Sequence, residues 1–267
     1  MAGNEPQNAP KIDFEKIFND ACKLPYCKIN RDEYLEKELK ARVSLAQLAD
    51  ALENGTVNAK IPVSILDDIA RGAIAFETSK VTLLSTAAGI PGGLAMIGTV
   101  PADLAQFYAH VLRIAQKLAY IYGAKEIAFC DSAQNILLLY LGAMFGVNAA
   151  TAALAKFAAA NAAKIGARIA AKPLTKYAIY NVARKVLSWV SVKLTKDAFG
   201  KAISKSIPVV GGLLSGGLSV VTYLPMAKTL QKELSKLSAM SPEDLEAASK
   251  AADIILAKYE VLEESPI

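Results

Sequence analysis

Histidine is almost missing from this chain of 267 residues, and His110 is the only one. A single imidazole excludes a multi-histidine metal centre. A Ser-His-Asp triad would have to use His110, beside which the sequence places no nucleophile. Cysteine is nearly as scarce. Cys22, Cys27 and Cys130 are too few for a disulfide framework and fit a reducing compartment. Cys22 and Cys27 lack the second ligand pair of a structural zinc site, so neither a metal nor a cofactor is expected. Nucleotide signatures are also missing. Gly200-Lys201 lacks the earlier glycine and the following Ser/Thr of a P-loop, and no GxGxxG follows a strand. The polar start, Met1 to Pro10, carries no secretory pattern, and Ala2 stands where N-myristoylation requires glycine. No segment reads as a β-sheet, so the expected fold class is all-α.

Three long runs lack charge altogether: Val81–Ala102, Ser132–Ala155 and Ser206–Ala227, each 22 to 24 residues. That length lets a helix cross the hydrocarbon core of a bilayer. Each run holds a pair of glycines four apart: Gly89 and Gly93, Gly142 and Gly146, Gly212 and Gly216. Small residues at this spacing let helix backbones approach closely. Dilution by Ala, Gly, Ser and Thr leaves two readings open, a membrane span or the core of a soluble helical protein. The architecture expected is a multi-helix bundle of helical hairpins with Gly/Pro-broken apolar helices in the centre.

Punctuation along the chain divides it further. Residues 1–29 read as a flexible N-terminal arm with a short helix from Asp13 to about Lys23. Residues 30–240 read as the main helical domain, and residues 241–267 as a C-terminal amphipathic helix. Asn30 with Glu33 resembles a capping box, and Gly55 sits where a C-terminal glycine belongs, predicting one helix between them. Pro62 and Pro101 open helices, and Gly123 ends the second. Ile90-Pro91-Gly92-Gly93 and Ile207-Pro208 with Gly211-Gly212 predict breaks. Residues 125–145 and 148–171 read as two helices around Gly146, and Pro173 precedes another. Ser241-Pro242-Glu243-Asp244 is a strong helix start. Gly92-Gly93-Leu94 before Pro101 and Gly216-Gly217-Leu218 before Pro225 share one spacing, which suggests a duplicated unit.

The helix over residues 101–122 carries the sharpest local pattern. Asp103, Gln106, His110, Arg113 and Lys117 recur every three or four residues and form one polar stripe. Leu104, Phe107, Val111, Ile114, Leu118 and Ile121 form an apolar stripe opposite. The stripe either faces water or lines a polar site.

Charge is distributed unevenly. Residues 156–205 hold eleven Lys/Arg and one acid, Asp197, so the whole positive excess of the chain lies there. Lys164, Arg168, Lys172 and Lys176 are four apart, Arg184, Lys185 and Lys193 continue the excess, and Tyr177, Tyr180 and Trp189 are interleaved. Basic helices with boundary aromatics suit an anionic membrane surface. The block carries no nucleic-acid recognition motif, so no nucleic-acid partner is expected.

Val100-Pro101-Ala102-Asp103-Leu104, Leu112-Arg113-Ile114-Ala115 and Ala119-Tyr120-Ile121-Tyr122-Gly123 resemble the PADL…LR.IA…YG signature of the EcsC family of bacterial proteins. Ile207-Pro208-Val209-Val210-Gly211-Gly212 with Gly216-Gly217 is similar to a late IPVVGG…GG element of that family. The resemblance implies an all-helical domain with a membrane connection, a transporter of the ABC class or another membrane protein as partner, and no catalytic residues. The expectation is a non-enzymatic cytoplasmic protein, peripheral to the inner face of the bacterial cell membrane, that binds anionic lipid. The alternative is a soluble helical carrier or adaptor for an acyl ligand or a partner protein.

Overall fold

The computed structural model describes residues 13–88, 100–127, 131–164, 174–203 and 216–260. Among the described residues are ten helices and no strand. They are α1 (Phe14–Lys23), α2 (Arg31–Leu39), α3 (Leu45–Asn54), α4 (Val63–Ala88), α5 (Val100–Ile121), α6 (Asp131–Met144), α7 (Asn148–Lys164), α8 (Lys176–Ile203), α9 (Gly216–Ser238) and α10 (Pro242–Glu260). The all-α class holds. The predicted breaks at residues 90–93 and 207–212, and Gly89, Gly93 and Gly212, lie outside the described residues.

Side-chain caps start the helices. Asp13 accepts from the Lys16 amide, Asn30 from the Asp32 and Glu33 amides, and Ser241 from the Asp244 amide. Each satisfies first-turn N–H groups that have no partner within the helix. The single helix predicted from Asn30 to Gly55 is instead two. α2 stops at Leu39, and Ser44 accepts from the Gln47 amide at 3.2 Å to start α3. A serine that bonds forward to the backbone competes with continuation of the preceding helix.

Two glycine turns seal one end. Gly55 and Gly123 have φ of +96° and +93°, and a Cβ on Gly55 would meet the Gly123 carbonyl oxygen at 3.0 Å. The Thr56 hydroxyl donates to the Ile121 carbonyl at 2.7 Å. The buried Arg31 guanidinium donates to the carbonyls of Ala51, Leu52 and Ala124. The C-terminal ends of α3 and α5, whose last carbonyls lack helical partners, are thereby tied together.

α5 is the centre, packed against α1, α2, α4, α6 and α9. Within residues 1–29, read as a flexible arm with a short helix from Asp13 to about Lys23, the helix is α1, and it is docked. Phe14, Ile17, Phe18 and Ala21 of α1 are buried, and the Phe14 ring meets Tyr108 of α5 edge-on at 4.9 Å. The buried Gln116 amide accepts from Ile29 N–H at 3.0 Å and donates to the Cys27 carbonyl at 2.9 Å, fixing the chain that follows α1. The C-terminal helix read from residue 241 is α10, which lies against α7 and buries Leu245, Ala252 and Leu256.

The uncharged run 132–155 becomes α6 and α7, bent by 119° at the turn between them. Among the described residues no single helix is long and apolar enough to cross a membrane. The paired glycines of this run divide the work. A Cβ on Gly142 would lie 2.6 Å from Val186 and 2.7 Å from Ala150, so Gly142 is a packing glycine against α8 and α7. Gly146 has φ +72° and nothing nearby, so it forms the turn rather than a helix contact. Gly216 opens α9. The suggested duplication is not carried by the helices, since Pro101 lies in the first turn of α5 while Pro225 lies inside α9.

Candidate functional site

The polar stripe on α5 is brought to a single carboxylate. Glu77, from the middle of α4, has a side chain with no solvent exposure. Its Oε1 accepts from Lys117 Nζ at 2.6 Å and lies 3.5 Å from the Arg113 guanidinium. Its Oε2 lies 3.3 Å from His110 Nδ1. Positions 110, 113 and 117 lie on one helix face, so α5 presents three basic groups to one acid on its neighbour. An ionised carboxylate can only accept, so Nδ1 is the donor in its contact with His110. The reading of a stripe facing water is corrected for His110 and Lys117, which are buried beneath α4. Gln106 is exposed, and of Asp103 only the helical backbone is described.

Electrostatics explain the stability of this arrangement. Burial pushes the Glu77 carboxyl upward, but hydrogen bonds from His110 and Lys117 and the nearby cations outweigh it and bring it from 4.5 down to about 2. Lys117 is shifted downward, first by burial, against the raising effect of Glu77. Its ammonium also lies over the rings of Tyr34 at 5.3 Å and Phe76 at 5.2 Å, which offsets part of the desolvation. Two buried polar atoms beside the cluster have no hydrogen-bond partner, the Tyr34 hydroxyl and His110 Nε2. The Tyr26 ring lies against the imidazole with centroids 5.5 Å apart, and Arg113 donates to the Tyr26 carbonyl.

Sequence reasoning missed Glu77, Arg31 and Gln116. A signal for Glu77 was available, as it is the only acid between Asp68 and Asp103. Arg31 and Gln116 find their partners through tertiary contacts far apart in the chain, which spacing does not reveal.

The basic block shows a second arrangement, on the surface. On α8, Lys176, Arg184 and Lys185 are exposed, as are Tyr177 (63%) and Tyr180 (47%). Residues 177, 180 and 184 share a helix face, and the Arg184 guanidinium lies 5.8 Å from the Tyr180 ring centre. Trp189 turns inward, where it packs edge-on against Phe145 at 5.4 Å. Lys156 is withdrawn from the surface, with a side chain 1% exposed and paired to Asp253 of α10 at 2.6 Å. Lys164 and Lys193 lie on helical backbone whose side chains are not described, and Arg168 and Lys172 lie outside the described residues.

Other chemistry is limited. Cys22 and Cys27 are free thiols, both pushed up to about 12 by burial, which keeps them protonated at neutral pH. No group of three metal-binding side chains occurs among the described residues. A cavity of about 70 Å³, lined by Val57, Tyr122, Tyr140, Phe157, Asn161 and Leu237 among others, lies between the end of α5, α7 and α9. Ligand pockets for small molecules run to about 300–1,000 Å³. The apolar face of α5 is packed against its neighbours, with Val111, Ile114 and Leu118 fully buried. Comparison with protein-family models, with curated proteins and with solved structures finds no match.

Proposed function

We propose that this is a non-enzymatic helical protein that attaches to the anionic inner face of a bacterial cytoplasmic membrane, as the EcsC-like sequence elements imply. The carrying observation is the face of α8, where Tyr177 and Tyr180 stand exposed beside Lys176, Arg184 and Lys185. No acid occurs in the sequence between residues 157 and 196, so nothing in that stretch competes for these cations. Tyrosine rings suit the headgroup boundary, with an apolar body and a polar tip. Each basic residue near an anionic surface contributes about 1 kcal/mol. A peripheral attachment is supported by the burial of Leu137, Leu141, Ala150 and Ala153 of α6 and α7 in the core. A transporter or another membrane protein is the partner class that the EcsC-like sequence elements imply.

Replacing Lys176, Arg184 and Lys185 together with Gln tests the assignment. Three lost charges predict binding to anionic vesicles weaker by about 100-fold, with an unchanged circular dichroism spectrum. Binding equal to wild type would remove α8 from the contact.

A further inference from the structure

We propose that residues 261–267 cover the basic face of α8 in the free protein and give way to an anionic surface. The cover regulates the membrane contact assigned above to that face, and so rests on that reading.

α10 ends on this face. Asn181 of α8 donates from Nδ2 to the Tyr259 carbonyl at 2.7 Å. Residues three and four apart on a helix are neighbours, so Asn181 stands among Tyr177, Arg184 and Lys185. α10 is also held from its middle. Asp253 pairs with the buried Lys156 of α7 at 2.6 Å, and Leu256 is buried. The chain that follows Tyr259 therefore starts from a fixed point beside the exposed cations.

The face and the following segment are complementary. Among the described residues Lys176, Arg184 and Lys185 form no ion pair with a carboxylate. Tyr177 and Tyr180 leave much of their ring area in water. Val261-Leu262-Glu263-Glu264-Ser265-Pro266-Ile267 carries two carboxylates, three branched apolar side chains and no cation. The carboxylates suit the cations, and the apolar side chains suit the rings, whose burial is favourable.

Reach is sufficient. A helix rises 1.5 Å per residue, so Lys176 and Lys185 lie about 8 Å and about 6 Å from Asn181 along the axis. An extended chain covers about 3.3 Å per residue, so Glu263 reaches about 13 Å from Tyr259. Both lysines are within range of both carboxylates. An anionic bilayer offers the same cations a continuous negative surface in place of two charges, and it displaces the segment. The cover thereby sets a threshold of surface charge below which the protein stays off the membrane.

Carbodiimide cross-linking of the lipid-free full chain reads the contact without a membrane, because it joins a carboxylate to a touching amine with loss of water. Proteolysis and mass spectrometry of the monomeric fraction should show Glu263 or Glu264 joined to Lys176 or Lys185. No such bond, bonds to Lys258 alone, or bonds only between two copies of the chain would overturn the proposal. Wild-type binding to anionic vesicles without these bonds would leave the membrane contact standing and remove the cover. The second arm reads regulation. Glu263→Gln with Glu264→Gln should bind anionic vesicles about fivefold more tightly than wild type. Glu15→Gln with Glu36→Gln removes the same charge from exposed positions on α1 and α2, and should change binding by less than about twofold. Equal gains in the two variants would report net charge alone and would overturn the cover. If neither the wild type nor the tail variant binds anionic vesicles, the membrane reading fails and displacement with it, and the cross-links alone decide whether the segment covers the face.

Discussion

At Glu77 two large effects oppose each other. Burial without exposure penalises the charged carboxylate, while Lys117, His110 and Arg113 repay that penalty through contacts made only in the folded chain. The folded carboxyl lies near 2 against 4.5 unfolded. A lowered acid stabilises above its unfolded value and loses that contribution as pH falls through the folded one. The stabilisation is about 3 kcal/mol above pH 4.5 and declines toward pH 2. Glu77→Gln should therefore cost about 3–5 kcal/mol at pH 7, because it strands the buried Lys117 ammonium. Urea denaturation at pH 7 and pH 3 checks both the size and its shrinkage in acid; a cost that is the same at both pH values would refute the pairing. The spacing of His110, Arg113 and Lys117 was legible in the sequence as one stripe. Its direction was not, because a stripe that faces water and one that faces a buried acid have the same period. Only the position of α4 distinguishes them.

Helices were more legible than the contacts between them. Asn30, Gly55, Gly123 and Ser241 mark helix ends through local chemistry, so the sequence carries them. The stop after Leu39 depends on Ser44 bonding to the Gln47 amide, a contact that the leucines on either side, Leu35, Leu39, Leu45 and Leu48, do not announce. Leu45 itself is exposed at 83%, so it does not extend the buried face of Leu35, Leu39 and Leu48. The docking of α1 was hidden for another reason: Phe14, beside Phe18, is placed by Tyr108 of α5, far along the chain. Gly142 belongs to this scale, since it sets how closely α6 approaches α7 and α8. Gly142→Ala adds a methyl 2.6 Å from Val186 and 2.7 Å from Ala150. Alanine's better helix propensity recovers part of the loss. The overpacking should still lower stability by about 1–3 kcal/mol, measured by thermal denaturation. A higher melting temperature would show that α8 shifts freely to accommodate the methyl.

For the whole molecule, the middle uncharged run carries the most weight: its bent helix pair is apolar enough to cross a membrane by length and composition, yet it packs inward. Residues 132–155 fold into a bent pair whose apolar side chains face the protein core. The charge asymmetry then has a different meaning. The basic block is not uniformly presented: Lys156 is paired beneath α10, while Lys176, Arg184 and Lys185 stay free at the surface beside two tyrosines. Membrane affinity in this account comes from that face, and so depends on the headgroups rather than on the hydrocarbon core. The most direct measurement is co-sedimentation of the full chain with neutral and with anionic vesicles, repeated as salt rises from about 0.05 M to about 0.5 M, where the screening length shortens to a few ångströms. The account predicts recovery with anionic vesicles alone, falling steeply with salt. Equal recovery with both vesicle types, insensitive to salt, would contradict it.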